Sequence, residues 1–172
     1  MKSKDPYVNL ARETIQAYVC GKKLPGADSA LPEEMKQNRA GAFVSVHRNG
    51  QLRGCIGTIA PVTDCIAEEI VANAVSAVSK DPRFSPVVEE ELGSLEISVD
   101  VLTPLEPVKK IEELDPKRYG VVVSSGYRRG VLLPDLEGID DVETQLFIAL
   151  QKAGINPKET YSIERFEVVR HV

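Results

Sequence analysis

The chain reads as an α+β protein with a mainly antiparallel sheet flanked by helices. Three observations carry this. Asn49-Gly50, a strong signal for a tight hairpin turn, separates two strand-like runs. A second pair of strand-like runs meets near Ser125-Gly126. Apolar residues at helical spacing fall before, between and after these hairpins rather than alternating regularly with single strands.

Taken in order, Asp5-Pro6 forms a helix start, since proline is tolerated in the first turn. Tyr7, Leu10, Ala11, Ile15, Tyr18 and Val19 follow on one face, and Gly21 can end the helix. Residues 22–39 carry Pro25, Gly26 and Pro32 and read as a long connection with one turn near Pro32. Two strands, residues 42–48 and 51–59, close on Asn49-Gly50. A regular two-residue turn pairs Arg48 with Gln51, Val46 with Arg53 and Val44 with Cys55. Arg53 and Cys55 then share a face, about 6–7 Å apart along the strand, with His47 on the opposite face.

Thr63 is the expected N-cap of a helix reaching about Lys80, with Ile66, Ile70, Ala74, Ala77 and Val78 as its apolar stripe. Asp81-Pro82-Arg83-Phe84-Ser85-Pro86 stops it. Leu95, Ile97, Val99 and Val101 alternate with Glu96, Ser98 and Asp100, the pattern of a half-buried strand. A short helix is expected over residues 110–114, and a second hairpin over residues 120–133. Asp140 or Asp141 can cap a helix through Ala153 with Gly154 at its end, and residues 163–170 form a closing strand.

The segment richest in chemistry is Arg53-Gly54-Cys55-Ile56-Gly57-Thr58, a thiol between two glycines with a fixed positive charge two residues upstream. Glycine gives room for backbone or ligand to approach. A nearby cation favours thiolate over thiol. The same residues also suit a tight strand end with Cys55 as a small core hydrophobe, since free cysteine is among the most buried residue types. Asp81-Pro82-Arg83-Phe84 is either helix termination with a surface ion pair or a rigid loop facing the glycine-rich strand.

Other chemistries find little support. His47 and His171 are the only histidines, so a Cys-His dyad would need His47 on the face of Cys55, and His171 reads as a terminal surface residue. Cys20, Cys55 and Cys65 have no C-x-x-C spacing and give no zinc signature. Cys65 falls near the second position of its helix, where the helix dipole favours thiolate but Asp64 opposes it. Tyr127-Arg128-Arg129-Gly130 reads as a solvated hairpin more readily than as an anion site. No G-x-G-x-x-G or Walker A pattern is present, so no cofactor is expected. A net charge of −5 and 5% aromatic residues disfavour a nucleic-acid partner. An odd cysteine count with no apolar leader and no long apolar run suggests a cytoplasmic protein with no membrane partner.

Leu52-Arg53-Gly54-Cys55-Ile56-Gly57, Asp81-Pro82-Arg83-Phe84 and Gly130-Val131-Leu132-Leu133-Pro134, in that order, resemble the AMME chromosomal region domain family, also called AmmeMemoRadiSam system protein A. The resemblance spans about Tyr7 to His171, so residues 1–172 read as a single such domain. It implies a larger lobe built from both chain ends and a smaller lobe between them. It also implies association with a Memo-like, dioxygenase-related protein and a radical-SAM protein. Some relatives are fused behind the Memo-like domain, and this chain could be such a domain on its own. No reaction comes with the family. The motif residues imply a site in which Cys55, Arg53 and Asp81 act on an unknown small molecule, with Gly54, Gly57, Thr58 and Arg83 binding it. The expected activity is that of a thiol-dependent enzyme or enzyme subunit acting on a small anionic substrate or modified residue. The alternative is a non-catalytic module that docks a Memo-like or radical-SAM partner.

Overall fold

The computed structural model describes residues 3–27 and 30–172. Residues 28–29 of the expected long connection lie outside the described residues. The described helices are α1 (Pro6–Val19), α2 (Glu33–Gln37), α3 (Ile66–Ser79) and α4 (Val142–Ala153). The strands are β1 (Ala42–Arg48), β2 (Gln51–Gly57), β3 (Leu95–Leu102), β4 (Glu106–Pro107), β5 (Gly120–Ser125), β6 (Arg128–Leu132), β7 (Ser162–Phe166) and β8 (Val168–His171). The α+β class holds, with the strands divided between two sheets ordered β2-β1-β3-β8 and β4-β7-β5-β6. The chain divides into two units. One takes the described residues up to Leu102 together with Val169–Val172, and the other is Thr103–Val168.

In the first unit, Asp5 caps α1 by accepting from the Tyr7 and Val8 amides at 2.9 and 3.4 Å. The same carboxylate meets His171 Nδ1 at 2.7 Å, and the His171 ring stacks on Tyr7 with centroids 3.8 Å apart. His171 is therefore a packed residue, not the loose terminal one expected. Burial first, then donation of its hydroxyl to Glu34 at 2.8 Å, pushes Tyr7 up to about 12.

β1 and β3 turn Val44, Val46, Ile97 and Val99 inward against α1 and α3. From α3, Ile66, Ile70, Ala74, Ala77 and Val78 supply the facing stripe. Ile70 is fully buried, and a side chain of that size contributes about 1.5–3 kcal/mol.

Two local expectations are corrected. Helix α3 begins at Ile66 with Cys65 as its N-cap, so Thr63 is not the cap and Cys65 does not reach the second helical position. Thr63 is instead drawn to buried Glu69, which accepts from the Thr63 amide at 3.0 Å and the Thr63 hydroxyl at 2.6 Å. The closing strand also splits. The Glu167 amide donates to the Thr103 hydroxyl at 2.8 Å, and the Glu167 carbonyl accepts from the Thr103 amide at 2.9 Å. That exchange interrupts the ladder, so β7 and β8 enter different sheets.

In the second unit, Gly126-Tyr127 close the β5–β6 hairpin, with Ser125 paired to Arg128. Asp141 is the residue that caps α4, accepting from the Thr144 amide at 2.7 Å. Leu146, Ala149 and Leu150 of α4 pack with Val121, Val123 and Leu132 of the sheet.

Candidate functional site

Asn49 and Gly50 both adopt positive φ, 52° and 74°, which is what a two-residue hairpin turn with the strands' own twist requires. Arg48 pairs with Gln51 and His47 with Leu52. The register then shifts, so that Val46 pairs with Gly54, Ser45 with Cys55 and Val44 with Ile56. Arg53 is the extra residue of a β-bulge, and a one-residue slip moves every later side chain to the other face. The expected pairings of Val46 with Arg53 and Val44 with Cys55 are thereby overturned. Cys55 lies on the outer face with Ser45, not on the inner face with the core valines. His47, which alternates with Ser45, shares that outer face and is not opposite to it. The Cys55 sulfur meets the Ser45 hydroxyl at 3.2 Å, while His47 is one full side-chain repeat further along β1.

Arg53 is turned away from Cys55. Its Nε donates to Glu91 Oε1 at 2.8 Å and its Nη2 to Glu91 Oε2 at 3.0 Å. Its Nη1 donates to the Ser85 carbonyl at 2.8 Å. This fork holds the Glu91 carboxyl down to about 2, with Arg48 adding a weaker pull. The charge expected to stabilise a Cys55 thiolate thus belongs to a closed ion pair.

Arg83, distant in sequence, takes that place. Asp81 is nearly buried, at 5% exposure. Its Oδ2 accepts from the Cys55 amide at 3.0 Å and from Arg83 Nη2 at 2.7 Å, and its Oδ1 accepts from Arg83 Nε at 3.0 Å. One carboxylate therefore ties the 81–84 loop to the hexapeptide. The Arg83 fork first, then the amide bonds, hold Asp81 well below the usual carboxylate range, which makes it a very weak proton acceptor. The Arg83 side chain remains 55% exposed.

Burial pushes the Cys55 thiol up. The Ser45 hydrogen bond and the Arg83 charge oppose this, while Asp100 and Asp81 reinforce it. Cys55 is thus a protonated thiol at neutral pH. It stands in a polar row of paired residues, Cys55–Ser45–Ser98, running across β2, β1 and β3. In the next row Asp100 pairs with Phe43. Asp100 receives a two-pronged bond from Arg170 of β8 at 2.8 and 2.9 Å.

Space at the two motif glycines is filled by the protein itself. A side chain at Gly54 would collide with the Ala77 carbonyl, so Gly54 lets α3 lie directly against β2. A side chain at Gly57 would collide with the Phe43 ring, which covers that position. The approach room expected for a ligand at these two residues is occupied. Thr58 is also committed inward, donating to Glu69 Oε1 at 2.5 Å and accepting from Asn73 at 3.2 Å. Burial alone would raise Glu69, but donation from Thr58, Thr63 and the Val62 amide outweighs it and holds the carboxyl down.

The arrangement therefore brings together Cys55, Asp81 and Arg83 from the expected set, commits Arg53, Gly54 and Thr58 to contacts elsewhere, and leaves Gly57 on the Cys55 face but covered by the Phe43 ring. Ser45, Asp100 and Arg170 were not anticipated. The strand alternation already placed Asp100 on the polar face, and a glycine inside a strand is a known bulge signal that would have pointed to Ser45. Among the described residues, no group of three or more His, Cys, Asp or Glu side chains is placed to hold a metal. Among the same residues, no helix is long and apolar enough to cross a membrane.

The protein is a two-sheet α+β fold that carries this hexapeptide on a bulged edge strand. The AMMECR1 family matches residues 8–171, and the chain belongs to that family. It is similar to Protein CA_C1420 of Clostridium acetobutylicum, 52% identical over 171 residues, which cover 99% of this chain and 36% of that protein. The chain thus spans about a third of that relative's length. A protein of Thermotoga maritima is 50% identical over 173 residues, covering 99% of each. The crystal structure of the uncharacterized protein PH0010 from Pyrococcus horikoshii superposes with a TM-score of 0.88 at 30% identity, covering 99% of this chain and 93% of that one.

Proposed function

We propose that the chain is a thiol-dependent enzyme or enzyme subunit acting on a small anionic substrate or modified residue at the outer face of β2. Cys55 enters as a protonated thiol, and Arg83 holds the substrate's negative charge. Asp81 is a positioning residue, fixing the Cys55 amide and the Arg83 fork together. The single observation that supports this reading is the Asp81 carboxylate shared between Cys55 and Arg83. Because an anion on Arg83 would disfavour a second negative charge nearby, the thiol serves first as a proton donor or hydrogen-bond donor. It becomes a nucleophile only once its proton has been given up.

A second reading is favoured by the glycines. Their conformational room is used by Ala77 and Phe43, and Arg53 is closed by Glu91, so packing alone accounts for much of the hexapeptide. Under this reading the edge strand is a recognition surface for the Memo-like or radical-SAM partner that the family resemblance implies. Untargeted metabolite capture on wild type, Cys55→Ala and Arg83→Gln separates the two. The enzyme reading expects a small anion retained by wild type and lost from both variants. Retention by all three, or no captured molecule together with loss of a Memo-like partner in Cys55→Ser, would favour docking.

A further inference from the structure

We infer that the cleft between α1 and the start of β3 is a binding site for a small monocarboxylate carrying a short apolar tail, with Arg12 as its anchor. The cleft has a volume of about 230 Å³ and is lined by Arg12, Ile15, Gln16, Leu92, Gly93, Leu95 and Ile97. At water's share of roughly 30 Å³, that is room for a ligand of about eight non-hydrogen atoms. Ile15, Leu95 and Ile97 belong to the packed core, with exposures of 1%, 6% and 7%, so the apolar wall is preformed.

The charge pattern specifies the ligand's head. Arg53, Arg83 and Arg170 each fork onto a carboxylate of the protein. Arg12 differs. Its Nε is buried and has no hydrogen-bond partner. Its Nη1 makes one long contact, 3.4 Å, to the Leu95 carbonyl. A buried donor left unmade is costly, and a guanidinium donor more so. A carboxylate matches the guanidinium edge in charge and planar geometry. A phosphate dianion fits poorly, because one arginine among aliphatic walls would not repay its desolvation. A bare acetate would leave the wall formed by Ile15, Leu92, Leu95 and Ile97 unused. The site shares no residue with the Cys55 face, so it stands independently of the function proposed there.

Hexanoate, with eight non-hydrogen atoms, is the probe. Two-dimensional amide NMR of the full chain, titrated with hexanoate, hexan-1-ol, hexylammonium and acetate, is expected to show saturable hexanoate shifts at Arg12, Ile15, Leu92, Leu95 and Ile97. The other three probes should bind at least about tenfold more weakly, since a charge-assisted bond and the apolar contact are each worth about that factor. Arg12→Gln, with its fold checked by circular dichroism, should weaken hexanoate at least tenfold. The comparison among probes on wild type requires no variant and stands even if Arg12→Gln misfolds. Equal binding of hexanoate and hexylammonium, shifts mapping elsewhere, unchanged affinity in a folded Arg12→Gln, or no saturable shift up to about 10 mM hexanoate would each overturn the assignment and leave the cleft to water.

Discussion

Two arginine–carboxylate forks flank the edge strand, and they do different work. Arg53–Glu91 is closed on both sides, with side-chain exposures of 16% and 10%. Arg83–Asp81 is asymmetric. Its acid is 3% exposed, while its arginine is 55% exposed. The chemistry of the two pairs is the same, and burial decides the role. In the first, both charges are consumed in fixing the bulge to the 85–91 segment. In the second, the buried acid fixes the Cys55 amide and leaves a positive charge at the surface beside the thiol. Nearness in sequence pointed to the wrong arginine, because a bulge rotates Arg53 away and a loop 26 residues beyond Cys55 delivers the acid that holds Arg83.

The comparison breaks most sharply through stability. Glu91→Ala leaves Arg53 buried without its counter-charge and is expected to cost about 3–5 kcal/mol in urea unfolding. Asp81→Ala frees an arginine that is already half in water. Its loss is expected at about 1–3 kcal/mol, mainly from the unmade Cys55 amide bond. Equal losses would mean that the two forks are equivalent.

Acid sensitivity follows from the same contrast. Glu91 is held down to about 2, below its ordinary value of 4.5. A depressed acid contributes stability that is fully present above the unfolded value and lost as pH falls through the folded one. Between pH 4.5 and 2, wild type should therefore lose about 3 kcal/mol more than Glu91→Gln does, at roughly 1.4 kcal/mol per unit. Parallel pH–stability curves would remove the Arg53–Glu91 pair from the account.

The glycines sharpen the comparison further. Gly54→Ala meets the fixed Ala77 backbone carbonyl and should destabilise by about 1–3 kcal/mol. Gly57→Ala meets the Phe43 ring at its Cγ end, so the whole ring must shift, and should also destabilise. If both variants are neutral to stability but abolish ligand capture, the glycines serve a ligand after all.

Much of this fold was legible because its signals are local. Asp5 before Pro6, Asn49-Gly50, and Asp140-Asp141 with Gly154 around α4 each name their element within a few residues. The α+β class followed from their order. What was not legible depends on partners far along the chain. The bulge at Arg53 is stabilised by Glu91, which is 38 positions away. Thr63 looked like a cap but is claimed by Glu69. Glu167 sits inside an unbroken strand-like pattern, and only its exchange with Thr103 divides that pattern into β7 and β8. At the proposed site, the motifs single out Cys55, Asp81 and Arg83 as candidates. Their geometry, and the neighbours Ser45 and Asp100, could not be read from them, because the outer face is set by the slipped register.

The positive charge that acts on the buried Cys55 thiol is that of Arg83, and not that of Arg53, which is closed by Glu91. The most direct measurement is the pH dependence of Cys55 alkylation, followed by mass spectrometry in native wild type, Arg53→Gln and Arg83→Gln. Wild type should react slowly at pH 7 and accelerate above the ordinary thiol range, because burial holds the proton on. Arg83→Gln should slow the reaction at pH 7.5 by about two- to fivefold, as expected when a partly screened neighbouring charge is removed. Arg53→Gln should leave the rate within about twofold wherever the variant remains folded. A wild-type thiol that reacts fully at pH 7, or a larger loss in Arg53→Gln than in Arg83→Gln, would contradict the account.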